Sequence, residues 1–130
     1  MPTWGEIQEY ARSKYKLADD EADWFAVIFD YEDGRTQKIA VSRFDAFEKE
    51  WVEFSSSVCK GSQMPASVAL RRNADFVVGS LALDEDGDYT LMYSAPLETL
   101  DPDEFEIPLH AIARTADELE HEFAKGADDF

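Results

Sequence analysis

The chain has 130 residues, the size of one domain around a single core, and its 45% hydrophobic and 13% aromatic content can fill such a core. That apolar content excludes intrinsic disorder. Twelve Lys and Arg against 29 Asp and Glu leave a formal charge of −17, which argues against nucleic acid or an anionic membrane as partner, because each demands a cationic face.

The acidity reads as solubility by self-repulsion, although a high-salt cytosol or a basic partner would produce the same composition. Cys59 is the single cysteine, so neither an internal disulfide nor a four-cysteine zinc site can form, and a reducing cytoplasm fits best. No stretch approaches the roughly 18 apolar residues of a membrane helix, and the N-terminus lacks the basic segment of an export signal.

Thr3 and Glu6 form a capping-box pattern ahead of Trp4, Ile7, Tyr10, Ala11 and Tyr15, which recur at helical spacing and predict a helix over 4–16. Residues 24–31 are β-branched and aromatic, Asp33 and Gly34 signal a turn, and 36–41 return as the second strand of a hairpin. In the first strand Phe25, Val27 and Phe29 share one face. Trp24, Ala26 and Ile28 make the opposite face apolar too, so both sides call for cover.

Residues 44–58 read two ways. Phe44, Phe47, Trp51, Phe54 and Val58 fall at helical intervals, favouring helix in the first half; the serines at 55–57 favour extended chain in the second. Pro65 opens a short helix over 66–72 that stops at Asn73. A second hairpin joins 76–83 to 89–94 through an Asp-rich turn containing Gly87, and Gly79 within it hints at a close approach. Asp101, Pro102 and Glu104 start a last helix whose stripe is Phe105, Leu109, Ile112, Ala116, Leu119 and Phe123. Gly126 is its expected stop, and Pro108 predicts a kink or a broken first turn.

No chemistry-bearing constellation emerges. Asp84, Asp86 and Asp88 lack the glycine and glutamate spacing of an EF-hand loop and read as an acidic hairpin tip. His110 and His121 are eleven residues apart, about 16 Å along a helix, too far to share a metal. Cys59 reads as a structural thiol, and no phosphate loop, dinucleotide fingerprint or zinc-protease motif occurs. The residues therefore imply no catalytic site, no cofactor and no metal.

The elements run α-β-β-β-α-β-β-α, an α+β order that resembles the small acidic chaperones of type III secretion and the YbjN-like bacterial proteins. Residues 76–83, 89–93, Pro96-Leu97, Leu100-Asp101 and 116–120 are similar to that group's paired strands, proline–leucine exit and closing helix, and 70–74 to its middle helix. The resemblance, closest to the YbjN-like proteins, implies an antiparallel five-stranded sheet with three helices, commonly dimeric, that binds protein segments without hydrolysing ATP. It also favours strand over helix for 51–58.

These readings converge on a cytoplasmic, non-enzymatic homodimer that holds a partner polypeptide against apolar surface, either as a helix in a groove or as an added strand. Trp4, Ile7, Tyr10 and Ala11 on the first helix, with Trp24, Ala26 and Ile28 on the adjoining strand, are the candidate contacts. The same apolar stripe would equally serve as core if the helix simply packs on the strand. The competing class is a regulatory domain that binds a small molecule between the long helix and the sheet, or a cation at the acidic tip.

Overall fold

The structure, a computed structural model, describes residues 2–31 and 33–124. Helix α1 (Trp4–Lys14) begins where the Thr3 hydroxyl accepts the Glu6 amide at 3.2 Å. Helix α2 (Ala66–Asn73) follows Pro65, and helix α3 (Pro102–Phe123) starts with the Asp101 carboxylate accepting the Glu104 amide at 3.0 Å. α3 runs unbroken through Pro108, contrary to the expected broken turn; the Phe105 amide still donates to the Asp101 carbonyl. Pro108, the seventh helical residue, forgoes its own bond to the Glu104 carbonyl, and the helix continues across it. The expected stop at Gly126 lies outside the described residues.

Six strands, not five, form one antiparallel sheet: β1 (Leu17–Asp20), β2 (Trp24–Asp30), β3 (Thr36–Ala46), β4 (Lys49–Lys60), β5 (Ser80–Leu83) and β6 (Asp88–Pro96), in the order β1-β2-β3-β4-β6-β5. β1 was illegible because Leu-Ala-Asp-Asp has little strand propensity. Side chains hold it in place: Arg12 binds Asp20 at 2.7 Å, Gln8 donates to Asp20 at 2.7 Å, and Lys38 pairs with Asp19 at 2.9 Å.

The helical reading of the first half of 44–58 is overturned. β3 and β4 form one long hairpin closed by Phe47 and Glu48, both at positive φ (54° and 63°), as a two-residue turn of the I′ kind requires. Phe44 and Trp51 are cross-strand partners whose rings stack 6.3 Å apart, so the spacing that mimics a helix arises from folding a strand back on itself. Residues 76–79 are likewise not strand. Gly79 sits at φ +92° ahead of β5, where a Cβ would lie 2.7 Å from Ile112 Cδ1 of α3.

Alternation along the strands gives the sheet an inner and an outer face. Phe25, Val27, Ile39, Val41, Val52, Phe54 and Leu91 face inward against α1 and α3. Phe105 of α3 is the hub of this core, 5.6 Å from Phe54 and 6.4 Å from Phe25, while Trp4 stacks on Phe25 at 5.4 Å. Each buried ring contributes on the order of 1.5–3 kcal/mol, and each ring pair about 0.5–1.5 more.

Polar contacts fix the layers. Arg35, after the β2–β3 turn, binds buried Asp117 of α3 through two guanidinium nitrogens at 2.9 and 3.1 Å. Past Ala40 and Ser55 the β3–β4 ladder ends, and side chains bridge the gap: Gln37 donates to Ser56 Oγ at 2.7 Å, and Ser56 donates to the Lys38 carbonyl at 2.8 Å. At the far edge Asn73, the last residue of α2, accepts the Leu81 amide at 2.6 Å and donates to its carbonyl at 3.4 Å.

Candidate functional site

The three helices cover the inner side and the β5 edge of the sheet. α3 lies along β3, β4 and β6, α1 meets α3, and α2 meets β5 and reaches α3 through Arg72 and Glu122. The outer face carries Trp24 and Ile28 from β2, Lys38, Ala40, Ser42 and Phe44 from β3, then Trp51, Glu53, Ser55 and Ser57 from β4. Small side chains floor its centre, aromatic rings rim it, and a recess of about 430 Å³ opens between Trp24, Lys38, Ala40, Ser55, Ser57 and Thr90.

The rim is exposed aromatic surface. Trp24 is 37% accessible, Phe44 36% and Phe47 88%. Phe47 sits at the hairpin tip in a left-handed conformation that costs roughly 1–2 kcal/mol for a residue other than glycine. Its ring meets Trp51 edge-on at 6.5 Å, and the Trp51 indole N–H donates to the Ala46 carbonyl at 2.8 Å. The three rings therefore form one supported aromatic ridge.

Glu53 lies on the same face between Trp51 and Ser55, half-buried, opposite Ser42 and Ser94. Burial raises its carboxyl above the ordinary glutamate value, with no cation nearby to offset the effect. The acids at the hairpin's other face are satisfied: Arg43 reaches Glu50 at 2.9 Å, Asp45 at 3.2 Å and Asp23 at 3.6 Å.

The residues expected from sequence to touch a partner divide between core and surface. Trp4, Ile7 and Ala11 are buried in the core, and the Trp4 indole N–H donates to the Ala22 carbonyl at 2.8 Å. Those three contacts are corrected to interior positions; Ala26 stays on the outer side of the sheet, opposite Ala40, but has no accessible surface. A helix 11 residues long with one apolar stripe spends that stripe on the sheet beneath it. Tyr10 is half-buried and turned toward α3, where its ring meets Phe105 edge-on and its hydroxyl donates to Glu106 at 2.7 Å. Trp24 and Ile28 are the members of the set with accessible surface on the outer face.

Glu106 gathers the α1–α3 junction: Lys14 pairs with it at 2.8 Å, Tyr10 and Tyr15 donate to it, and His110 lies 2.9 Å away. Burial alone would raise this carboxyl, but the bonds from Lys14, Tyr15 and Tyr10 outweigh it and hold it at about 2. The same contacts push both phenols up: burial leads for Tyr15, the Glu106 bond for Tyr10. This cluster fastens α1 to α3.

At the β5–β6 turn, Asp84 Oδ1 accepts the amides of Asp86 and Asp88 at 2.9 Å each, so its carboxylate closes the loop. Among the described residues no group of three or more His, Cys, Asp or Glu side chains converges as metal ligands. Cys59 is buried, and burial pushes its thiol up to about 11, away from the reactive thiolate. No described helix is long and apolar enough to cross a membrane.

Sequence reasoning missed the Phe44–Phe47–Trp51 ridge by reading it as a helix stripe, and it missed Glu53 altogether. The signal was present as alternation: Phe44 and Trp51 sit equidistant from a two-residue turn, and Trp51, Glu53 and Ser55 alternate with buried Val52 and Phe54.

No family model matches the sequence, and no curated protein matches it significantly. Three solved structures share its architecture. The chaperone SchA, in the HopA1–SchA chaperone–effector complex, aligns at 16% identity and TM-score 0.66 over 88% of this chain and 90% of its own. SpcU, from the heterodimeric ExoU–SpcU complex of the Pseudomonas aeruginosa type III secretion system, gives 13% identity and TM-score 0.61 over 92% and 98%. ExsC, in the ExsC–ExsE complex, gives 15% identity and TM-score 0.58 over 95% and 97%. What this chain has in common with these type III secretion chaperones is the α+β fold, three helices against an antiparallel sheet.

Proposed function

We propose that this protein is a non-enzymatic, chaperone-like module that holds a partner polypeptide on the outer face of its sheet. The observation that carries this reading is the uncovered aromatic surface of Trp24, Phe44, Phe47 and Trp51 on a sheet whose other face already completes the core. Large aromatic rings left outside a filled interior are the usual anchors of protein interfaces. The fold relatives above, whose structures are of complexes with protein partners, support the same reading.

The narrower parts of the proposal are a homodimer, a cytoplasmic setting and membership of the YbjN-like group. Leu70 of α2 and Leu83 of β5, on two elements that pack together, are both exposed, which supports self-association on that side of the molecule. The single buried cysteine and the acidic composition suit a reducing cytoplasm. The YbjN-like assignment rests on segments 76–83, Pro96-Leu97 and 116–120.

A photo-crosslinking amino acid placed at Phe47 in native cells tests the partner role. A discrete protein adduct at that site, and none from the same probe at Glu85, is the expected result; equal labelling at both sites overturns it. Light scattering that finds only a monomer at high protein concentration removes the dimer while leaving the binding face.

A further inference from the structure

Resting on the partner-binding reading above, we infer that the outer face selects a basic, apolar segment, one arginine or lysine of which pairs with Glu53 while its apolar side chains lie on Trp24, Phe44 and Trp51. Charge complementarity on a face whose two lysines, Lys38 and Lys49, already have acidic partners singles out this occupant.

On the outward positions of β3 and β4 stand the charged residues Lys38, Lys49 and Glu53, and Lys49 is neutralised by Glu98 at 2.7 Å. Lys38 is neutralised by Asp19 at 2.9 Å. Glu53 has no ion pair and no hydrogen bond among the described residues, although it is half-buried between Trp51 and Ser55. A carboxylate removed partly from water without a donor is unfavourable in the free protein, and a guanidinium or ammonium arriving with its own apolar neighbours reverses that. The cross-strand neighbours of Glu53 are the short side chains of Ser42 and Ser94, Trp24 stands across Ser42 and Trp51 lies two residues along β4, so both indoles share this face with the carboxylate and offer further attraction to a cation. Glu53 thus sets the sign of the partner, and the ridge sets its apolar content.

The test uses three short fluorescein-labelled peptides that alternate leucine with arginine, with serine, or with glutamate. They are titrated by anisotropy into the full chain at roughly 0.15 M salt, where diffuse attraction to the acidic surface is screened. The Leu–Arg peptide is expected to bind, Glu53→Gln to weaken it about tenfold, and Glu85→Gln at the exposed hairpin tip to change it less than about twofold. The urea midpoint of Glu53→Gln is expected to equal or exceed that of the parent, because an unpaired, partly desolvated charge is removed.

Equal weakening by Glu53→Gln and Glu85→Gln overturns the proposal, since attraction would then be spread over the surface. So does a falling urea midpoint for Glu53→Gln, which would make Glu53 a support of the fold. Equal binding of the Leu–Ser and Leu–Arg peptides, both lost with Trp51→Ala, overturns the charge pairing and leaves the partner-binding reading standing. Failure of all three peptides to bind counts against both.

Discussion

The inner and outer faces of the sheet are made by the same four central strands, with alternate residues assigned to each, yet they differ in composition and in completion. Phe25, Val27, Ile39, Val41, Val52 and Phe54 point inward and are sealed by α1 and α3. On the other side, at the intervening residues of each strand, serine, alanine and threonine occupy the centre and aromatic rings the margin. Stability is concentrated on one side of a layer one strand thick. The other side is thereby freed to carry aromatic groups that the fold does not require.

Substitutions that separate the faces sharpen this contrast. Phe105→Ala removes the hub where Phe25, Phe54 and Tyr10 meet, and urea denaturation should show a loss of about 3–5 kcal/mol. A loss below about 1 kcal/mol would mean that the inner face does not dominate stability.

Acid acts next, at the α1–α3 clamp. The folded Glu106 carboxyl titrates at about 2, below its ordinary value of 4.5, so its contribution is complete above pH 4.5 and drains away as the pH falls toward 2. Glu106→Gln should lower stability at neutral pH by on the order of 1–3 kcal/mol and flatten that acid limb. Parallel melts of the two proteins from pH 7 to pH 2 check this; an unchanged acid limb would break the assignment.

The hairpin tip should respond in the opposite direction. Replacing the turn by Phe47→Asn with Glu48→Gly supplies residues suited to two consecutive positive φ values, and should raise stability by about 1–2 kcal/mol while weakening partner capture. A destabilised variant would show that the Phe47 ring belongs to the fold. Smallest of all, Trp24→Thr on the outer face should change the unfolding free energy read from a urea melt by less than about 1 kcal/mol.

Legibility from sequence followed the same division. The α3 stripe, its Asp101–Pro102 start, the Thr3 cap and the inward Phe25–Val27–Phe29 set could all be read because local pattern and burial agree there. Phe44 to Val58 was misleading because cross-strand partners, seven residues apart through a two-residue turn, reproduce the spacing of two helical turns. β1 was invisible because ion pairs from Arg12 and Lys38, not its own residues, place it. The outer surface was half legible: Trp24 and Ile28 emerged from the doubly apolar strand, but the ridge opposite them depends on a turn made by residues that seldom form one. Glu53 is one acid among 29, and only its surroundings distinguish it.

The pairing of Asn73 with Leu81 has a consequence for how the molecule survives at high concentration. Sheets end in backbone groups that would template another copy, and a short terminal strand such as β5 is a natural starting point for fibril growth. Asn73 offers one amide side chain to both the N–H and the C=O of Leu81 and so plugs the middle of that template with a group that cannot be extended.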